Sequence, residues 1–233
     1  MQGSTVFERD RAAVQVQSEF IRRVFNWMAL GLGVTAISAL FAANTGIVYS
    51  LVTHPMVMML LVVGELGLVI ALSAAIGRIG SATAFLMFFL YAALTGVTFS
   101  TLFLVYTKGS IASTFFITGT TFAVMSIYGY TTRRDLTSFG SLLIMGLFGI
   151  IIASVVNIFL RSPAFDWLIT YAGIAIFIGL TAYDAQQVKA MAYAGFAGAE
   201  EERKGAVIGA LRLYLDFINL FLLLLRLFGR RNS

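Results

Sequence analysis

Apolar residues along the chain fall into seven long runs that are separated by polar or charged stretches. The runs cover about 25–43, 55–76, 82–106, 111–130, 138–160, 165–188 and 207–228. A helix needs about 20 apolar residues to cross the hydrocarbon core of a bilayer, and each run is close to that length. Backbone groups in lipid must be hydrogen-bonded within the segment, and runs of this length are too long for barrel strands. The pattern therefore predicts an all-α, polytopic membrane protein with seven transmembrane helices.

The connections between the runs carry glycine, proline or charged residues, and most of them are short. The longest covers about 190–206 and contains the acidic run Glu200-Glu201-Glu202. Within the runs, small residues recur at four-residue spacing, which lets two helix backbones approach closely. The pairs are Gly67/Ala71, Ala92/Gly96, Gly119/Ala123 and Ala175/Gly179.

The composition agrees with a membrane protein and excludes several kinds of site. Of the 233 residues, 59% are hydrophobic and 12% are charged, whereas a soluble domain carries about 25% charged residues. The absence of cysteine excludes disulfides, thiol catalysis and iron–sulfur sites. The single histidine, His54, excludes metal sites built from several histidines. Nothing in the sequence suggests a cofactor, and we do not expect an enzyme.

Lysine and arginine residues indicate the orientation of the helices. With the N-terminus placed inside, ten of them lie on the inner side and four on the outer side, as the positive-inside rule expects. The inner residues are Arg9, Arg11, Arg22, Arg23, Arg78, Arg133, Arg134, Lys189, Arg203 and Lys204. The net charge of +5 therefore reflects topology, and we expect no binding to nucleic acid.

The N-terminal stretch is polar and has no apolar h-region, so we do not interpret it as a cleaved signal peptide. We predict a polar N-terminal cytoplasmic segment over 1–22 and a seven-helix transmembrane domain over 23–233.

Asp184 lies near the inner end of the sixth run, in GLTAYDAQQVK (179–189). An ionisable residue within a span costs about 2.5–3.5 kcal/mol, so each one is a functional candidate. Gln187 is one helical turn away and shares its face. Two interpretations are open, a carboxylate in interfacial water or a group that takes part in function.

Asp216 lies near mid-membrane in the seventh run, about nine residues from its start. Arg212 precedes it at i−4, and Asn219 follows it at i+3. One interpretation is an Arg212–Asp216 pair within the helix that hides both charges. The other requires Asp216 to face a polar cavity in the bundle.

The two aspartates are candidates for one site because the sixth helix runs inward and the seventh returns, which matches their depth. Two carboxylates in a poorly solvated site cannot both ionise freely, so the pair would be sensitive to protons. Together with carbonyl groups and water, they also provide the hard oxygen ligands that suit transient binding of Ca²⁺.

Two further charged residues belong to the second run and its end. Glu65 is either a neutral, hydrogen-bonded carboxyl group or a residue that faces the cavity. Arg78 follows the second helix on the inner side. It is explained by positive-inside anchoring, but it also lies at the expected level of Asp184, where a cation would hold the ionised carboxylate.

The two aspartate-bearing segments, GLTAYDAQQVK (179–189) and LYLDFINLFLLLLRLFG (213–229), resemble the bacterial branch of the Bax inhibitor-1 family. SIYGYTTRRDL (126–136) and FLYAALTGVTFSTLFLVY (89–106) are similar to the same branch. The resemblance covers nearly the whole chain from about residue 20.

The resemblance implies a fold in which six helices surround a central seventh, in the bacterial inner membrane. It also implies a pH-dependent calcium leak, with Asp184 and Asp216 as the pH-sensing pair. In the closed state an arginine near the inner end of the second helix latches the sixth-helix aspartate, and Arg78 is the nearest candidate for that role.

Two functions other than ion conduction are alternatives. The resemblance also allows a regulatory protein that acts on a membrane-bound quality-control protease or a cell-death pathway, with the polar N-terminus as its handle. An intramembrane aspartyl protease is disfavoured, because its second aspartate follows Gly-x-Gly and Asp216 follows Tyr214-Leu215.

Overall fold

The computed structural model describes the backbone of residues 2–232 and the side chains of residues 15–232. The helices are α1 (Gln2–Asn44), α2 (Ile47–Thr53), α3 (Pro55–Ala75), α4 (Ser81–Phe99), α5 (Leu102–Val105), α6 (Lys108–Thr131), α7 (Thr137–Leu160), α8 (Pro163–Ala194) and α9 (Ala199–Phe228). The chain is 88% helical, and the part that the structure describes contains no strand. The all-α prediction is therefore confirmed.

Seven helical stretches in the described residues are long and apolar enough to cross a membrane, one for each predicted run. The third of them, Ser81–Val105, consists of α4 and α5. The helix is interrupted at Ser100 and Thr101, whose hydroxyl groups donate to the carbonyl oxygens of Val97 and Thr98. These bonds satisfy backbone groups that lipid would leave without partners.

The helices of the sixth and seventh spans extend beyond the apolar runs that predicted them. α8 ends at Ala194 and α9 begins at Ala199, so the expected connection over 190–206 was wrong and only Gly195–Gly198 is non-helical. Gly195 has φ of +74°, in the left-handed region that commonly ends a helix. Hydropathy marks where the membrane ends, and a helix in water can continue beyond that point.

The chain divides into two compact units. The first unit is Met1–Leu102 with Val188–Tyr214, and the second unit is Phe103–Gln187 with Leu215–Ser233. The second unit is built on an apolar cluster contributed by α7, α8 and α9, which consists of Leu143, Phe177, Leu180, Leu220 and Leu224. We call these five residues the apolar cluster.

Of the four predicted small-residue pairs, one has a glycine close to the backbone of another helix and a second has a glycine close to a side chain. A Cβ atom at Gly96 would lie 2.3 Å from the Thr35 carbonyl oxygen in the first unit, and one at Gly179 would lie 2.6 Å from Leu143 in the second. Gly67 and Gly119 would meet no atom within 4 Å, so these two glycines make no close approach of this kind.

Burial differs strongly among the seven spans of the described residues. In the most apolar window of α3 and of α7, 6% of the residues are buried, whereas the figure for α9 is 67%. Helices with so much exposed apolar surface are suited to contact lipid. The enclosure of α9 is the burial expected of a helix that other helices surround.

Candidate functional site

Asp184 lies in a part of α8 that its neighbours in the second unit pack tightly. A Cβ atom at Gly129 of α6 would lie 2.0 Å from the carbonyl oxygen of Ala182. One at Gly140 of α7 would lie 2.3 Å from the ring of Tyr183. The two residues that precede Asp184 therefore contact two different helices, and Asp184 itself is half-buried.

Gln186 ties the turn between α6 and α7 to the same part of α8. Its Oε1 accepts from the backbone N–H of Leu136 at 2.8 Å, and its Nε2 donates to the carbonyl oxygen of Arg134 at 2.9 Å. Gln187, the glutamine predicted from the sequence, is half-buried, and Gln186 was not predicted. The two glutamines are adjacent, so no signal in the sequence distinguished them.

Asp216 is 4% exposed, and its Oδ2 atom is shielded from solvent. The adjacent Phe217 packs against two rings of α6, with centroid distances of 5.2 Å to Phe115 and 5.6 Å to Phe122. Asp216 is thus an interior residue and not a lipid-facing one, and the polar cavity that the functional interpretation requires stays a prediction.

The apolar cluster relates the two aspartates by depth. It contains Leu180 of α8 and Leu220 of α9. These consecutive spans are joined by Gly195–Gly198 and run in opposite directions, so one turn forward along α8 and one turn back along α9 lead toward the same end. One turn forward from Leu180 is Asp184, and one turn back from Leu220 is Asp216. Each step is about 6 Å along the helix axis.

The remaining candidates on α9 differ in exposure and contacts. Arg212 is exposed, whereas Asp216 is buried, and the proposed pair between them stays a prediction. The side-chain amide of Asn219 donates to the carbonyl oxygen of Leu215 at 2.8 Å. This bond lies within the helix and holds the Asn219 side chain one turn from Asp216.

Glu65 and Arg78 belong to the first unit. Glu65 of α3 is half-buried, and its Oε1 accepts a hydrogen bond from the Thr98 hydroxyl of α4. This contact agrees with the interpretation of Glu65 as a hydrogen-bonded carboxyl group. Arg78 is exposed in the turn after α3. Its backbone N–H donates to the carbonyl oxygen of Ala75 at 2.8 Å. Its role as a latch for Asp184 stays a prediction.

Two polar contacts of the last two helices were not predicted from the sequence. The Tyr214 hydroxyl and Thr35 Oγ1 are 2.6 Å apart in the interior of the first unit. In the second unit, Arg226 near the end of α9 forms an ion pair with Asp166 in the first turn of α8. Their positions in the sequence give no sign that these residues meet.

Sequence comparison decides the family. The family described as inhibitor of apoptosis-promoting Bax1 matches residues 17–233. The chain belongs to the Bax inhibitor-1 family. This confirms the resemblance stated above, and the matched range includes both aspartate-bearing segments.

Bacterial relatives of the Bax inhibitor-1 family align with almost the full chain. The inner membrane protein YbhL of Escherichia coli (strain K12) is 46% identical over 231 residues, which cover 97% of this chain and 99% of that protein. An uncharacterized protein of Borreliella burgdorferi is 45% identical over 226 residues, 97% of each chain. The protein RP147 of Rickettsia prowazekii is 43% identical over 215 residues, 92% of this chain and 90% of its own.

Proposed function

We propose that this Bax inhibitor-1 family protein is a pH-sensitive cation leak pathway, that Ca²⁺ is its favoured ion, and that Asp184 and Asp216 gate it. The observation that carries the proposal is the register in the second unit. Leu180 and Leu220 share one apolar cluster, and one helical turn from each, toward the same end, leads to an aspartate.

The surroundings of the pair make it responsive to protons. Asp216 is almost inaccessible to water, and Asp184 lies where α6 and α7 press against α8. Two carboxylates in such a site titrate as a coupled pair, because ionisation of one disfavours ionisation of the other. The charged residues nearest in sequence are Lys189 on α8 and Arg212 on α9.

The same carboxylates suit a passing calcium ion. Ca²⁺ takes six to eight oxygen ligands from carboxylates, carbonyl groups and water. Among the described residues no group of three or more His, Cys, Asp or Glu side chains is placed to hold a metal ion. Two carboxylates therefore bind weakly, and conduction requires a site that releases the ion.

Gating follows from the position of the pair on two packed helices. When the carboxylates share a proton, α9 stays packed and the pathway is closed. A change in protonation adds or removes charge at the contact between α8 and α9, and electrostatic repulsion loosens it. The protein itself needs no cofactor and performs no catalysis in this account, and its N-terminus faces the cytoplasm.

Calcium flux into proteoliposomes between pH 6 and pH 8 tests the proposal. Asp184→Asn and Asp216→Asn remove the titrating group, so the flux of each variant is expected to lose its dependence on pH. Unchanged pH dependence in both variants would contradict gating by the pair.

Asp135 provides the matched control for these variants. It lies in the turn before α7, where its Oδ1 accepts from the Thr137 N–H at 2.9 Å. The hydrogen bonds from Thr137 hold the pKa of the Asp135 carboxyl below its usual value. Asp135 is thus ionised throughout the tested range, and Asp135→Asn is expected to leave the pH profile unchanged.

A second candidate function is regulation of a membrane-bound quality-control protease. α1 has 43 residues, about 65 Å at 1.5 Å per residue, which exceeds the roughly 30 Å hydrocarbon core. The candidate span begins at Gln15, so the helix continues beyond it toward the N-terminus. The side chains of residues 1–14 lie outside the described residues. If deletion of residues 2–14 abolishes a cellular phenotype but preserves calcium flux, this function is supported.

A further inference from the structure

The connection between α8 and α9 is anchored in the first unit by an aromatic side chain. The ring of Phe196 packs against Phe20 of α1 with a centroid distance of 4.9 Å, and Phe20 is only 1% exposed. A Cβ atom at Gly205 of α9 would lie 2.6 Å from the Phe196 ring. Phe196 is thus wedged between α1 and the beginning of α9.

Glu200, in the first turn of α9, caps a different helix. The N-cap residue of α4 is Gly80, which has no side chain to accept from the first N–H groups of that helix. Glu200 Oε1 accepts from the Ser81 N–H at 2.6 Å, and Glu200 Oε2 accepts from the Ser81 hydroxyl at 2.8 Å. A carboxylate is favoured there because N-terminal N–H groups and the helix dipole attract negative charge.

The neighbouring glutamates divide between two roles. Glu202 Oε1 pairs with Arg23 Nη1 of α1 at 2.9 Å. Glu201 Oε2 accepts from the Ala197 N–H at 3.3 Å, a contact that stays within residues 195–202. The same acidic run therefore contains two residues that contact other helices and, between them, one that bonds within its own segment.

We propose that residues 195–202 form a strap that restrains the beginning of α9, and that Glu200 and Glu202 are its positioning residues. The inference rests on the leak function proposed above and specifies how that pathway is kept closed. α9 is one helix from Ala199 to Phe228, and it carries Asp216 further along. A helix held at its start by α1 and α4 cannot shift along its axis, and release of the strap opens the leak.

Substitution of adjacent glutamates tests the strap with a matched control. At a fixed pH of 7, Glu200→Ala and Glu202→Ala are expected to raise calcium flux into proteoliposomes. For Glu200→Ala we expect an increase of about fivefold. This is the shift that the loss of one helix cap causes in an equilibrium between a closed and an open state. Glu201→Ala removes the same charge one residue away and is expected to leave the flux at the wild-type level.

Amide hydrogen exchange provides a readout that does not depend on flux. The Ser81 N–H loses its acceptor in Glu200→Ala, so it is expected to exchange faster in that variant and at the wild-type rate in Glu201→Ala. Faster exchange at Ser81 with wild-type flux would overturn the proposal, because the contact would be released without effect on the leak.

Crosslinking separates release of the strap from general damage to the protein. The chain has no cysteine, so Ser81→Cys combined with Glu200→Cys introduces the only two thiols. This variant is expected to leak faster than the wild type until a short bifunctional thiol reagent joins the two positions and restores slow flux. Persistent fast flux after complete crosslinking would also overturn the proposal.

The two proposals fail in different ways. A wild-type protein that passes no calcium at any pH contradicts the leak function. The proposed role of the strap fails with it, because there is then no leak to restrain. A wild-type protein with pH-dependent flux that Glu200→Ala, Glu201→Ala and Glu202→Ala all leave unchanged contradicts the strap alone.

Discussion

Tyr214 places a hydroxyl group in the apolar interior of the first unit, two residues before Asp216 on α9. Its side chain is fully buried, and its hydroxyl lies 2.6 Å from Thr35 Oγ1. Tyr214→Phe removes this hydrogen bond but leaves the Thr35 hydroxyl next to the carbonyl oxygens of Gly31 and Ala92. We therefore expect the free energy of unfolding in detergent to fall by about 1 kcal/mol, with the pH dependence of calcium flux retained.

The same substitution at an exposed tyrosine is the control for this prediction. Tyr128 of α6 is 45% exposed, so Tyr128→Phe is expected to change the stability by less than Tyr214→Phe does. Equal effects at both positions would show that the buried hydroxyl contributes nothing specific.

Single residues differ in how well the sequence reveals them. Asp184 and Asp216 stand out because a charge within an apolar run is costly and is kept only for a reason. The contacts of Gln186, Glu200 and Tyr214 join residues separated by 50, 119 and 179 positions. The pattern of residues along one chain does not show which distant residues meet. These three contacts were therefore not predicted from the sequence.

At the scale of elements, close packing of α6 against α8 makes one glycine of α6 indispensable. A Cβ atom at Gly129 would lie 2.0 Å from the Ala182 carbonyl oxygen, which is backbone and cannot move aside. Gly129→Ala must therefore separate the two helices, and we expect a loss of about 1–3 kcal/mol in the free energy of unfolding. Thermal unfolding in detergent measures this loss.

Gly119 of the same helix is the control, since a Cβ atom there would meet no atom within 4 Å. Gly119→Ala adds helix propensity without a clash, so the melting temperature is expected to stay the same or to rise. A loss at Gly119 as large as the loss at Gly129 would contradict the tight contact between α6 and α8.

The spans could be predicted from hydropathy, but the ends of the helices could not. Each apolar run became one candidate span, because length and apolarity are what a bilayer requires. Residues 190–194 extend α8 and residues 199–206 extend α9, although the whole stretch was predicted to be a connection. Contacts with α1 and α4, such as those of Phe196 and Glu200, hold these residues, and hydropathy does not report such contacts.

At the scale of the whole molecule, lipid contact and protein contact both favour apolar residues. The most apolar stretches of α3 and α7 have mean hydropathies of 2.4 and 2.6, and 6% of the residues in each are buried. The corresponding stretch of α9 has a mean hydropathy of 1.9, and 67% of its residues are buried. Hydropathy therefore identifies helices in the membrane without identifying their neighbours. For the same reason the division into two compact units was not predicted, since both contain similar apolar helices.

The central claim is that Asp184 and Asp216 form one proton-sensitive pair, and the separation of their carboxyl oxygens tests it most directly. Experimental structures at a pH below and a pH above the transition in calcium flux provide that distance. We predict that the nearest oxygens are about 2.5–2.7 Å apart at the lower pH, as in a shared-proton hydrogen bond, and that they separate at the higher pH. A separation above about 6 Å at both pH values, beyond the range of strong charge coupling, would contradict the account.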